Sequence, residues 1–476
     1  MQKKVCIGPI FALLTASGGK MGAPPIRQEG CAGPRPKPLL SGIGWRETGG
    51  CGVEKSSLKK QAMVTAGSTA AVRAAGFALR LWISRLLGAE ALGILELASG
   101  VHMLALTPAA AGLPGAVSRM AAKAENEEQR QLALYAGRQV SLRLGGVIAP
   151  LFFLLGPLLS RALGDERALP ALWCFVPCVI TVGVSSVYDG WFFGKGRALP
   201  PAVSECAEQA ARMLALAALA RWISRVTPAW RAAMPAAAST VGEAVGLGVV
   251  MAWAGRVPSF RHDPRLAETR RQLTGLSLPL LLNRLCHTGL RSLCGAVIPL
   301  RLMAGGCPRA EAMSLLGMLN GMVMPLMFLP CMVSGALAAV GAPAAARCKT
   351  APAERRLIRR LLFAALAVGA ACAGGLYALA PFLARRFYRL PELTALIRFS
   401  CPLALLLPLH QAAGGVMTGL GMQKKTLRAS LAGSAVLLFF TWYWVPKLGI
   451  SGAALSSMIG HAVMLLCDLF WLHTKI

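Results

Sequence analysis

Long apolar runs separated by short basic segments are the feature that most constrains this chain. Hydrophobic residues make up 55% of the sequence and charged residues only 15%, against about 25% charged in ordinary globular proteins. Backbone polar groups cannot be left unpaired in lipid, so apolar runs of this length are stable as helices that cross the bilayer. The sequence therefore predicts an all-α polytopic membrane protein.

About twelve runs have the length of a spanning helix, which requires about 20 residues. The first six predicted spans are 62–86, 91–115, 136–160, 169–190, 200–221 and 235–255. The second six are 273–299, 312–340, 357–383, 395–419, 427–446 and 449–472. We therefore predict two six-helix lobes, at 53–256 and 257–476.

Residues 1–52 do not share this pattern, because they contain several prolines and glycines and show no helical periodicity. The apolar stretch at 5–16 resembles a weak signal peptide and is too short to cross a bilayer. We expect this segment to be a disordered leader or an extension that is absent from the native protein, with translation starting at Val53.

The net charge of +30 lies mainly in the segments between the predicted spans. With the amino terminus inside, the cytoplasmic segments hold more than twice as many Lys and Arg residues as the outer segments. Because positive residues concentrate on the cytoplasmic side, we predict both termini in the cytoplasm and a location in the bacterial cytoplasmic membrane. The chain has no nucleic-acid-binding motif, so we exclude nucleic acid as a partner.

Matched glycine motifs indicate that the two halves are repeats. The pattern GxxxGxG followed by a basic residue occurs after the fourth and tenth spans, 225 positions apart. Its glycines are Gly190, Gly194 and Gly196, and then Gly415, Gly419 and Gly421. Gly112 and Pro114 belong to another motif, in span two, which has a counterpart at 334–337 in span eight. A lone GxxxG is common in packed helices, but the matched spacing predicts structural corners in a parallel repeat, with a cargo site between the halves.

Arginines inside the predicted spans are the candidate site. Arg73 and Arg80 lie seven residues apart in span one, on one helical face. Arg284, His287 and Arg291 share one face of span seven. An arginine near a helix centre costs about 2.5–3.5 kcal/mol on insertion scales, so these side chains should face a wet cavity or an anion. Because the arginine fork binds phosphate oxygens, we predict an anion-binding cavity.

Two alternatives remain open for these arginines. Arg85, near the end of its span, can reach the headgroups, whereas Arg73 and Arg284 lie about 16 Å into theirs. Pairing with a carboxylate is the second alternative, and the candidates are Glu205, Glu208 and Glu243. His287, between two arginines, is a candidate proton-sensitive group.

The sequence contains no recognisable catalytic or metal motif. Walker A, HExxH and GxSxG patterns are absent. The cysteines lie mostly in apolar runs without a CxxC pair, where cysteine packs as a small hydrophobe. We expect no enzyme activity, no metal and no cofactor, with energy supplied by an ion gradient or the membrane potential.

Several of these motifs resemble the stage V sporulation protein B group. That group belongs to the MOP exporter superfamily, with MurJ-type lipid II flippases, Wzx-type flippases and MATE pumps. The similar segments are 72–93, 111–119, 188–196, 277–280, 299–302 and 415–421. The resemblance implies two six-helix lobes around a cavity, alternating access, and a lipid-linked oligosaccharide or peptidoglycan precursor as cargo.

The resemblance also assigns residues. The family's functional arginines map onto Arg73 and Arg80, and by position in the cavity helix onto Arg284 and Arg291. Many members have fourteen spans, whereas this chain stops after the twelfth predicted one. That difference puts in doubt a lipid-accommodating groove formed by an additional helix pair.

Three functional hypotheses follow from the sequence. The first is a flippase for a polyprenyl-pyrophosphate-linked precursor used in spore cortex or cell wall, with membrane lipids and cell-wall enzymes as partners. The second is a MATE-like cation-coupled multidrug exporter, which needs an intramembrane carboxylate where span one has arginine. The third is a membrane scaffold that recruits cell-wall enzymes and does not depend on the arginines.

Overall fold

The computed structural model describes residues 55–335 and 351–475, and every regular element in these two ranges is helical. The predicted all-α class is therefore confirmed. The proposed leader at 1–52 lies outside the described residues.

The helices follow one another with short connections. Their bounds are α1 Lys55–Ala110, α2 Leu113–Lys123, α3 Glu127–Ala162, α4 Leu169–Gly194, α5 Leu199–Ala220 and α6 Pro228–Ala254. The later helices are α7 Arg265–Ala304, α8 Arg309–Gly335, α9 Ala351–Phe382, α10 Leu393–Gly419, α11 Gln423–Leu448 and α12 Ile450–Lys475. π-helical segments lie within α8 at Gly317–Val323 and after α9 at Leu383–Tyr388.

Within the described ranges, nine helices are long and apolar enough to cross a membrane. Helices α5 and α7 are not among them, because intramembrane glutamates and arginines interrupt their apolar stretches. The chain is thus a multi-pass membrane protein, and the predicted total of about twelve spans stays a prediction.

Helix α1 contains the first two predicted spans, which meet at Gly88. Gly88 has φ 75° and ψ 172°, a conformation that glycine tolerates because it lacks a Cβ. Arg80 nevertheless contacts Glu96, 16 residues later in the chain. A straight helix would separate these residues by about 24 Å, so α1 turns sharply at Gly88.

The internal repeat extends to backbone hydrogen bonds at two helix ends. Gly196 after α4 and Gly421 after α10 have φ of 68° and 73°. In both places the next residue's amide donates to the carbonyl five residues earlier, at 2.9 Å after α4 and 2.8 Å after α10. These are the 6→1 bonds of a Schellman cap, in which glycine supplies the positive φ.

The other glycines of the matched motifs lie on the same helices. A Cβ on Gly190 would lie 2.3 Å from the carbonyl oxygen of Pro114, so α4 and α2 meet backbone to backbone there. Gly194 makes a similar approach one turn later. Gly112, with φ 92°, precedes α2, and Pro114 lies in its first turn. Gly415 and Gly419 lie in the last turns of α10.

The largest apolar cluster joins the two predicted halves. It contains Leu92 of α1, Met313 of α8 and Leu403 of α10, all almost fully buried. At its centre α1 crosses α8 so closely that a Cβ on Gly93 would lie 1.9 Å from the carbonyl oxygen of Met313. This crossing follows the Gly88 turn, which the predicted orientation assigns to the outer side of the membrane.

Candidate functional site

Arg80 connects the two segments of α1 with α8. Its guanidinium forms an ion pair with Glu96, and its Nη2 donates a hydrogen bond to the carbonyl oxygen of Asn320 at 3.2 Å. The Arg80 side chain is 37% exposed and that of Glu96 only 14%. Arg80 therefore lies between α1 and α8, which belong to different predicted halves, with part of its surface open for another partner.

Sequence reasoning missed Glu96 as the partner of Arg80. It considered Glu205, Glu208 and Glu243, and the last two of these pair with Arg212 of α5. Arg80 and Glu96 lie eight residues before and eight residues after Gly88. This equal spacing could have indicated the pair, because a helix that turns back at Gly88 brings the two residues side by side.

Helix α7 carries the second group of candidates. The side chains of Arg284, His287 and Arg291 are all exposed. The Ser292 hydroxyl donates to the carbonyl oxygen of Gly100 at 2.6 Å. This bond holds α7 against the second segment of α1, beside Arg291.

Arg291 belongs to the same group as Arg80. Its positive charge attracts Glu96 electrostatically, and its guanidinium carbon lies 5.9 Å from the centre of the Phe328 ring on α8. Charged residues of α1 and α7 therefore act on one carboxylate, and each arginine also contacts α8. Arg284 lies two helical turns, or about 10 Å, before Arg291 in α7.

Of the remaining predicted residues, Arg73 and His287, only the second has a side chain that the structure describes. Arg73 lies in α1 two turns before Arg80, and its side chain is outside the described residues. His287 is exposed and interacts electrostatically with Arg291, Arg284 and His410 of α10. The structure thus brings Arg80, Arg291 and Glu96 together and connects His287 with a second histidine.

The arrangement suits an anionic ligand. Glu96 contacts Arg80 directly, whereas Arg284 and Arg291 keep exposed guanidinium groups. Each guanidinium can bind a phosphate or carboxylate through two parallel hydrogen bonds. In the described ranges, no group of three or more His, Cys, Asp or Glu side chains is arranged to hold a metal.

Comparisons with known proteins agree with this architecture. A family model described as "Polysaccharide biosynthesis protein" matches residues 58–349. Stage V sporulation protein B of Bacillus subtilis (strain 168) is 26% identical over 429 residues, which cover 87% of this chain and 83% of that protein. The resemblance read from the motifs is confirmed.

Two solved structures share the fold. One is the inward-facing conformation of a multidrug resistance MATE family transporter of the MOP superfamily, with a TM-score of 0.69 and 17% identity, covering 84% of this chain and 93% of that one. The other is the lipid II flippase MurJ in an inward closed conformation, with a TM-score of 0.69 and 11% identity, covering 86% and 87%. The expected MATE- and MurJ-like helical fold is confirmed.

Proposed function

The chain belongs to the polysaccharide biosynthesis protein family, and from this premise we propose that it is a flippase. Its cargo is a polyprenyl-pyrophosphate-linked oligosaccharide or peptidoglycan precursor, which it moves across the bacterial cytoplasmic membrane. Both termini lie in the cytoplasm, and enzymes of spore cortex or cell-wall synthesis use the translocated product.

The observation that carries this proposal is the exposure of Arg284 and Arg291 on α7. Exposed arginines at membrane depth are unfavourable against lipid and become favourable against water or an anion. Helix α7 packs on α1 of the other half, and Arg291 attracts Glu96 of α1. These contacts support a cavity between the halves, with positive charge on its wall.

In the proposed cycle the arginines bind the pyrophosphate and take no covalent part. Arg284 and Arg291 hold the phosphate oxygens while the polyprenyl chain stays among the lipids. As the halves rock, the anion competes with Glu96 for Arg80, and the contact between α1 and α8 opens. The cargo leaves on the outer side, and the Arg80–Glu96 pair forms again.

A MATE-like multidrug exporter is the other candidate that the fold allows, since the MATE transporter has the same TM-score as MurJ. Export of a cationic drug requires a carboxylate that is free to bind a cation. The carboxylate described between the halves, Glu96, is engaged by Arg80. The charges therefore favour an anionic cargo.

Reconstitution into proteoliposomes tests the proposal. The wild-type protein should translocate fluorescent lipid II or an undecaprenyl-pyrophosphate-linked glycan, and the R284Q/R291Q double variant should lose at least about ten-fold in rate, as expected when charge-assisted bonds worth more than about 1.4 kcal/mol are removed. R385Q/R386Q, which removes two exposed arginines after α9, should keep the wild-type rate.

Two results would overturn the proposal. One is equal translocation by the R284Q/R291Q variant and the wild type. The other is drug efflux in a pump-deficient host without translocation of any polyprenyl-linked substrate, which would assign the chain to the multidrug exporters.

A further inference from the structure

A fully buried carboxylate lies within the second half of the chain, away from Arg80. The Asp468 side chain on α12 is 0% exposed, and its Oδ2 is 2.9 Å from Nδ1 of His410 on α10. These two atoms lie close together without the geometry of a hydrogen bond, and no other described residue donates one to either oxygen of Asp468. A carboxylate buried in this way is stable only when it is protonated or faces a positive charge.

The first half has a carboxylate at the same position of the repeat. Glu243 of α6 lies 225 positions before Asp468, the offset that also relates Gly196 to Gly421. Glu243 accepts a hydrogen bond from Arg212 at 3.2 Å. Each half therefore holds an acid at this position, but the partner in the first half is an arginine, which is always charged, whereas the partner in the second half is a histidine, a residue type that can bind and release a proton.

We propose that Asp468 and His410 form a proton-binding site whose occupancy is linked to the anion cavity. With one proton the pair is neutral overall, as imidazolium and carboxylate or as imidazole and carboxylic acid. When that proton leaves, a buried negative charge remains. The proton site stands on the geometry alone, while the linkage rests on the proposed flippase function.

Other titratable groups connect the pair with the cavity. His410 interacts electrostatically with His287 on α7 and with His461 on α12. His461 also interacts with Arg291. A proton bound at His410 therefore raises the positive potential around His287 and Arg291, which favours an anion there.

The charged groups of the neighbouring helices are mainly cationic. Helix α9 packs on α10, and α11 packs on α12. Ile358 of α9 belongs to the same apolar cluster as Leu465 and Leu472 of α12. The first turns of α9 and α11 carry the cations Arg355, Arg356, Arg359 and Arg360 and then Lys424, Lys425 and Arg428, with Glu354 as the one carboxylate in these segments. The net charge of these neighbouring groups is positive, which offsets the negative charge that remains when the proton leaves the pair.

Linkage makes the effect reciprocal. If a proton strengthens anion binding, then anion binding takes up a proton. One linked proton changes Kd by at most about ten-fold per pH unit. The probe is undecaprenyl pyrophosphate, added to the full-length protein in nanodiscs between pH 5.5 and 8.

The binding experiment compares four proteins. In the wild type, Kd should rise with pH, and binding in a weakly buffered solution should take up a proton. Both effects should disappear in H410Q and persist in the control H473Q, which removes an exposed histidine of the same helix as Asp468. H410R copies the Arg–Glu pair of the first half, so it should fold and bind tightly at every pH without taking up a proton.

Infrared spectroscopy tests the proton site without any ligand. A pH titration of the wild type should show a histidine or carboxyl signal that is missing in H410R and D468N and present in H473Q. Identical titrations in all of these proteins would overturn the proton site. If no protein binds the probe but the infrared difference remains, the flippase proposal is overturned and the proton site still stands. If the wild type binds the probe equally well at every pH, the linkage is overturned.

Discussion

Gly93 of α1 and Gly317 of α8 face each other where the two halves of the chain cross. A Cβ on Gly93 would lie 1.9 Å from the carbonyl oxygen of Met313, and a Cβ on Gly317 would lie 1.9 Å from that of Ala89. No other residue type fits without moving a backbone. Arg80 bonds to Asn320 one turn further along α8, so this crossing closes one end of the proposed cavity.

A larger side chain at the crossing should separate α8 from α1. Gly317→Val should push α8 away from α1, because the new side chain meets main chain, which cannot yield as a flexible side chain can. In a cysteine-free background, a cysteine at Asn320 should then react several-fold faster with a membrane-impermeant maleimide added from outside. Gly295→Val, at a glycine of α7 with no atom within 4 Å of its Cβ position, is the control. Equal labelling of both variants would argue against a gate at this crossing.

We expect that charge reversal of the Arg80–Glu96 pair can separate the structural role of Arg80 from its role in translocation. R80E places two carboxylates together and should destabilise the protein, whereas R80E/E96R restores opposite charges. A double-mutant cycle by thermal unfolding in detergent should give a coupling of about 0.5–3 kcal/mol, near the lower end because Arg80 is partly exposed. The exposed Arg161–Glu166 pair should give almost none.

Translocation by the same swapped variant tests the position of the charge. We expect the swap to recover folding without recovering translocation, since the arginine no longer lies where the cargo anion passes. Full translocation by R80E/E96R would restrict Arg80 to a structural role.

Replacing Arg212 should cause a large loss of stability in the predicted first half. Its side chain and those of Glu208 and Glu243 are each about one-fifth exposed, so Arg212→Leu leaves two carboxylates without their cation. Breaking such a pair costs about 3–5 kcal/mol, visible as a lower unfolding temperature and a lower yield of folded protein. Adding Glu243→Gln should recover part of the loss, and Arg221→Leu at the exposed end of α5 should change little.

Asp263, in the loop before α7, predicts a pH dependence outside the membrane. Hydrogen bonds from the Arg265 side chain and backbone amide hold the pKa of Asp263 below its ordinary value. A group with a lowered pKa contributes stability above its ordinary pKa and loses it as pH falls through the lowered one. The unfolding temperature of the wild type should therefore exceed that of Asp263→Asn at pH 6, and the gap should close below about pH 4. A gap that stays constant would contradict this role.

Local patterns in the sequence were enough to predict the helices and their repeat. A run of about 20 apolar residues is stable in lipid only as a helix, so α3, α4 and α10 could be placed from hydropathy alone. The glycines at 196 and 421 marked two helix ends correctly, because the positive φ of a cap favours glycine whatever the rest of the fold does. The same reasoning counted α5 and α7 as spans, although their charges set them apart from the nine apolar helices of the described ranges.

Partners could not be predicted in this way. The sequence presented the arginines of α1 and α7 as candidates, but it did not indicate that Arg80 binds Glu96 or that Asp468 faces His410. An ion pair depends on distances of a few ångströms between side chains that are far apart in the chain. Those distances are fixed by the turn at Gly88 and by the packing of whole helices, which no local window contains.

The sequence by itself thus determined that this chain is helical and membrane-spanning, and it predicted the repeat and the intramembrane arginines, since each of these follows from residue type and spacing. Only the tertiary structure decided which arginine is neutralised, which remain exposed, and which half holds a titratable partner for its buried acid. The physical reason is that hydrophobicity acts residue by residue, whereas electrostatic pairing depends on the three-dimensional arrangement of two separate segments.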